Sequence, residues 1–156
     1  MEKPEEKSKE TSADELLSKM EDFGKQADIL IVDDVYANVF LVENIIPEEF
    51  TTVSVTSAHE LWKYIRTRLP RLILLDLMMP FEDGFTVLKK LAADERLKKI
   101  PVIVLSAKDT REDVVRAMKL GAVDYIVKPV DEKSLLKKIR KDLGIEEQTE
   151  EVKTKP

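Results

Sequence analysis

The 156-residue sequence predicts a doubly wound α/β fold built on a five-stranded parallel sheet. Three observations lead there. Short apolar runs alternate five times with helical patterns. The runs stay apolar at successive positions, which suits strands covered on both faces by right-handed crossovers. Four of the five end in a polar or charged residue, and in such folds ligands collect at the carboxyl ends of strands.

The elements follow in order. Residues 28–34, DILIVDD, read as a buried strand, and VYANVFLVENII as an apolar helix closed by Pro47. TTVSVT is β-branched and reads as the second strand, with SAHELWKYIRTR as its helix. RLILLD is a continuous apolar run, followed by a helix from Gly84 to Ala93. PVIVLS is a strand opened by proline, and TREDVVRAMKLG a helix ended by Gly121. DYIVKP and DEKSLLKKIRKDLG supply the last pair.

The unit spans residues 27–144, with charged extensions at 1–26 and 145–156. Within the first, Ser12 and Glu15 form a capping box, and Leu16, Leu17, Met20 and Phe23 fall at helical spacing, so the pattern allows a short amphipathic helix over 13–23, although a frayed, solvated tail suits so short a segment better. The extensions carry all of the net charge of −5, and residues 27–144 hold 19 acidic and 19 basic groups. A neutral domain with scattered lysines lacks the basic face of a direct nucleic-acid binder. Its longest apolar runs are too short to span a bilayer. The chain opens without a signal-peptide pattern and has no cysteine, so a cytoplasmic protein is expected.

Asp33 and Asp34 close the first strand, Asp76 the third and Ser106 the fourth, while the fifth runs into Lys128 and Pro129. Any one of these carboxylates could be a helix cap. Together they would repel one another in one crevice unless a cation offsets them. An all-oxygen set favours Mg2+, and one histidine with no cysteine argues against zinc. Beside such an ion an aspartate can act as a nucleophile toward a phosphoryl group, with a lysine and a hydroxyl holding phosphoryl oxygens.

The stretches ILIVDD, LILLDLMMPFEDGF, PVIVLSAKD and GAVDYIVKP resemble, in order and spacing, the signatures of the response-regulator receiver domain of two-component signalling. The resemblance covers about residues 28–143. It implies the flavodoxin-like receiver fold, with strand order 2-1-3-4-5 and five helices. It implies Asp76 as phosphoacceptor, Asp34 and Asp76 as carboxylate ligands of Mg2+, the backbone carbonyl of Met78 as a further ligand, and Asp33 as a contact through water. Ser106 would receive a phosphoryl oxygen, Lys128 would pair with the phosphoryl group or with Asp76, and Pro129 would follow a cis bond. Tyr125 would change rotamer as the switch is thrown, altering the surface made by TREDVVRAMKLG, DYIVKP and DEKSLLKKIRKDLG. The phosphoryl group would come from a histidine kinase or a histidine phosphotransfer protein, and the output would be an unnamed protein target. With twelve residues after Gly144, either a stand-alone receiver or a piece of a longer chain is expected.

Two other readings compete. An aspartyl-phosphate phosphatase would carry a second aspartate two residues after the nucleophile, where this chain has the apolar Met78. The chain is therefore not expected to be an enzyme beyond its own phosphorylation and dephosphorylation. The alternative is a receiver-like protein-binding module that is not phosphorylated; such modules lose acidic or lysine positions that are all present here. Bland readings suffice elsewhere. His59 reads as a helix-surface residue and Trp62 as packing. Met79 would pack beneath the site, Gly84 would meet a backbone need, and Phe85 would make a core or loop contact. Lys137, Lys138, Arg140 and Lys141 would form a solvated helix face.

Overall fold

A computed structural model describes residues 26–145. The helical pattern over 13–23 and both charged tails, apart from Gln26 and Ile145, lie outside the described residues.

The elements alternate without interruption: β1 (Ile29–Val32), α1 (Tyr36–Ile45), β2 (Thr52–Val55), α2 (Ala58–Ile65), β3 (Leu72–Leu75), α3 (Gly84–Ala93), β4 (Val102–Ser106), α4 (Arg111–Lys119), β5 (Asp124–Val127) and α5 (Glu132–Asp142). The strands form one parallel sheet in the order β2-β1-β3-β4-β5. Helix starts follow local chemistry. Ser57, Asp83, Thr110 and Asp131 each accept a hydrogen bond from the backbone N–H three residues on, so α2 to α5 begin where a side chain satisfies an orphan donor. At the end of α4 the chain turns through Gly121 at a φ of 116°, a conformation that favours glycine.

Side chains alternate across each strand, so the apolar runs supply two cores. Leu30, Val32, Ile73, Leu75, Val102 and Val104 face α2, α3 and α4. Ile29, Ile31, Leu72, Leu74, Ile103, Leu105 and Ile126 face α1 and α5. This two-sided burial explains why the strands are apolar at nearly every position. Parallel pairing then aligns the strand ends: Val32 stands beside Leu75, Leu75 beside Val104 and Ser106 beside Val127. The residues just past those ends emerge together at one edge.

Candidate phosphoacceptor site

The edge-aligned register places Asp33 next to Asp76. The Asp76 N–H donates to the Val32 carbonyl at 2.9 Å, and the Lys128 N–H donates to the Ser106 carbonyl at 2.9 Å, so the ladder continues one step into the site. Parity decides the sides. Asp33, Asp76 and Lys128 continue the rows of Ile31, Leu74 and Ile126, on the α1 and α5 side. Ser106 continues the row of Val102 and Val104 on the opposite side, where Tyr125 also packs.

One carboxylate oxygen from each of Asp33, Asp34 and Asp76 lies within 4.8 Å of the others. Asp33 and Asp76 are buried, and Asp34 is the most open of the three. Lys128 Nζ donates to Asp33 Oδ2 at 2.8 Å and to Asp76 Oδ2 at 3.3 Å. The remaining oxygens of the buried pair meet backbone amides, Asp33 Oδ1 accepting from Val35 at 2.9 Å and Asp76 Oδ1 from Met78 at 3.1 Å. Burial pushes the Asp76 carboxyl above the usual carboxylate range, and the charge of Asp33 acts in the same direction. The Met78 N–H and Lys128 oppose the shift without cancelling it. Three carboxylates facing one ammonium group fit a hard divalent cation that takes oxygen ligands.

Ser106 is wholly buried, and its Oγ accepts from the Lys108 N–H at 3.2 Å. The Tyr125 hydroxyl donates to the Lys108 carbonyl at 2.7 Å, so both residues hold the same loop from opposite ends. The Lys128–Pro129 bond is cis. Gly84 is required by close approach: a Cβ there would stand 2.5 Å from Leu77 Cα and 2.6 Å from the Asp76 carbonyl oxygen. Met79 and Phe85 are buried in the α2–α3–α4 core, and His59 is exposed.

Sequence reasoning did not anticipate several features around this edge. The Trp62 indole N–H donates to the Glu82 carboxylate at 3.2 Å, and Lys90 pairs with the same carboxylate at 3.2 Å, which fastens the loop after β3 to α2 and α3. In that loop Phe81 is fully exposed at a φ of 70°, a strained conformation for an aromatic residue. Tyr36 and Met78 are also exposed where the loops leave β1 and β3. No periodic pattern marks the loop residues Met78 and Phe81 as exposed, so only the structure reveals them.

Residues 29–140 match the family model of the response regulator receiver domain. The chain belongs to that family, whose members are signalling switches of two-component systems. It is 41% identical over 115 residues to the response regulator PleD of Caulobacter vibrioides, a match covering 73% of this chain and 25% of PleD. The chain thus spans about a quarter of that relative's length. Among solved structures, the phosphorylated cyanobacterial phytochrome response regulator RcpA aligns with a TM-score of 0.63 at 29% identity, covering 75% of this chain and 91% of RcpA. The Mn(2+)-bound form of the response regulator Rcp1 aligns with a TM-score of 0.62 at 28% identity, covering 74% and 90% respectively.

The raised pKa of Asp76 sets a sign for stability. Its proton is held more tightly in the folded protein than in the unfolded chain. That contribution is complete below the unfolded pKa and is lost as pH rises through the folded value. Asp76→Asn removes the charged form and is expected to unfold at a higher temperature than wild type at pH 7.5 in metal-free buffer. The gap should close toward pH 3.5 and narrow at pH 7.5 when millimolar Mg2+ is added. Thermal unfolding by circular dichroism reads all three conditions.

Proposed function

We propose that the protein is a phosphoacceptor switch in which Asp76 takes a phosphoryl group from a phosphohistidine donor. The observation that carries this reading is the placement of Asp76: a buried carboxyl in contact with Lys128 and within 4.8 Å of Asp33 and Asp34. An Asp76 oxygen attacks phosphorus, the phosphorus–nitrogen bond to the donor imidazole breaks, and the leaving imidazole takes up a proton. Lys128, which already contacts Asp76, would meet the charge gathering on the phosphoryl oxygens. The residues that would hold Mg2+ are Asp34 and Asp76, the Met78 carbonyl, and Asp33 through water. When bound, the ion would offset the negative charge of the carboxylates and of the phosphoryl group.

The exposed apolar rim of Tyr36, Met78 and Phe81 supports a protein donor, a histidine kinase or histidine phosphotransfer protein, since such a donor must cover the mouth of the site to reach Asp76. Action in the cytoplasm belongs to the same reading, and no helix among the described residues is long and apolar enough to cross a membrane. The downstream partner is read as a protein, in keeping with the absence of a basic face in the neutral domain.

Wild-type protein with acetyl phosphate and magnesium is expected to gain one phosphoryl mass by intact mass spectrometry, and Asp76→Asn to gain none. Labelling of the variant to the wild-type level would remove Asp76 from the role. Absence of labelling in wild type would leave the protein-binding module without phosphorylation as the better reading.

The output runs through the loop shared by Ser106 and Tyr125. Ser106 Oγ accepts from the Lys108 N–H, and its movement toward a phosphoryl oxygen would loosen the loop whose carbonyl accepts from Tyr125. The face made by α4, β5 and α5 then changes. Ser106→Ala and Tyr125→Ala are expected to keep Asp76 phosphorylatable while shrinking the spread of amide shift changes into that face. Undiminished propagation in both variants would rule out this relay.

A further inference from the structure

The described chain begins against α2. Ala27 is buried with Leu61, Tyr64 and Ile65, and its N–H donates to the Tyr64 hydroxyl at 2.9 Å. The Gln26 side chain donates to the Leu69 carbonyl just past that helix. Ile65 and Arg66, which follow Tyr64, line an open groove of about 350 Å³ between α2 and the end of α3. Its apolar lining is Trp62, Ile65 and Leu97, and its charged rim holds Arg66, Lys90 and Arg96 against the single carboxylate of Asp94. Lys90 pairs with Glu82, whereas neither Arg66 nor Arg96 has a carboxylate partner among the described residues.

The residues that precede Gln26 carry the complementary pattern. Leu16, Leu17, Met20 and Phe23 share one face at helical spacing, and Asp14, Glu15, Glu21 and Asp22 outweigh the one basic residue between them, Lys19. We propose that the segment Ala13–Phe23 docks as a helix in the groove between α2 and α3, its apolar face on Trp62 and Leu97 and its carboxylates near Arg66 and Arg96. Phe23 stands three residues before Gln26. An extended tether of that length reaches about 10 Å, so the chain delivers the segment to this groove. Alone, so short a helix is marginal in water, and burial of an apolar face supplies most of a helix's stability. The tether makes that burial an intramolecular step at high effective concentration.

The exposed apolar face of α1, with Tyr36, Phe40 and Leu41, suits this segment less well. That helix has no basic residue to meet the carboxylates, and Ala27 packs on the α2 side of the sheet. The groove has a second connection. Trp62 and Lys90 also grip Glu82 in the loop after β3. The docked segment therefore rests against the support of the loop that carries Met78 and Phe81.

The chain has no cysteine, so Ser18→Cys gives a single attachment point for a nitroxide on the polar side of the segment. In the full chain the label is expected to broaden the amides of Trp62, Arg66 and Leu97. It should spare those of Leu135 and Ile139, which lie on the other side of the sheet. Met20→Asp with Phe23→Asp should abolish the broadening. Without the label, the same pair should shift the emission of Trp62, the one tryptophan, to longer wavelength. Arg66→Glu with Arg96→Glu should weaken the broadening, with the larger loss at low salt. Mixing labelled chains with isotope-enriched, label-free wild type separates the chain's own segment from a second copy. Absence of broadening, broadening equal on both faces of the sheet, broadening that appears in the label-free chains, or broadening unchanged by Met20→Asp with Phe23→Asp would overturn the proposal.

Discussion

Three carboxylates around one lysine at the carboxyl edge of a parallel sheet are the arrangement on which the rest of this structure depends. Two buried unit charges at the separation of Asp33 and Asp76, no more than 4.8 Å, repel by at least about 3 kcal/mol at an effective dielectric of about 20. That is a sizeable fraction of the stability of an ordinary domain. The fold tolerates it because Lys128 bridges both carboxylates and backbone amides cap their remaining oxygens. The remaining imbalance favours whatever brings positive charge or removes negative charge.

Register is what turns four separate strand ends into one site. A slip of one residue would send Asp33 or Asp76 to the opposite face of the sheet and bury the wrong set of side chains. The two cores therefore act as the positioning device. Ile29, Ile31, Leu72 and Leu74 hold β1 and β3 in the alignment that puts Asp33 beside Asp76. The same alternation places Ser106 and Tyr125 on the other side of the sheet.

The strands and helices were legible because their signals are strong and local. Continuous apolar runs such as LILL, Pro47 after the first helical pattern, and Gly121 after α4 each have one natural structural meaning. The convergence of Asp33, Asp34 and Asp76 was legible through the rule for parallel sheets, and their separation was not, since sequence carries no distances. Loop conformation was the least accessible: nothing in FEDGF indicates that Phe81 points outward or that Glu82 is gripped by Trp62 and Lys90. By sequence, Lys137, Lys138, Arg140 and Lys141 read as a solvated helix face. Structure places Lys138 and Lys141 beside Asp124, a contact between residues 14 and 17 positions apart that helical periodicity cannot foresee.

The account stands or falls on where the phosphoryl group sits. Protein phosphorylated with acetyl phosphate and magnesium, reduced with borohydride and digested, converts an acyl phosphate at an aspartate to homoserine, which peptide mass spectrometry locates to a single residue. The account predicts homoserine in place of Asp76 and at no other position. Homoserine at Asp33 or Asp34, or an unmodified Asp76 in protein that carries the phosphoryl mass, would contradict it.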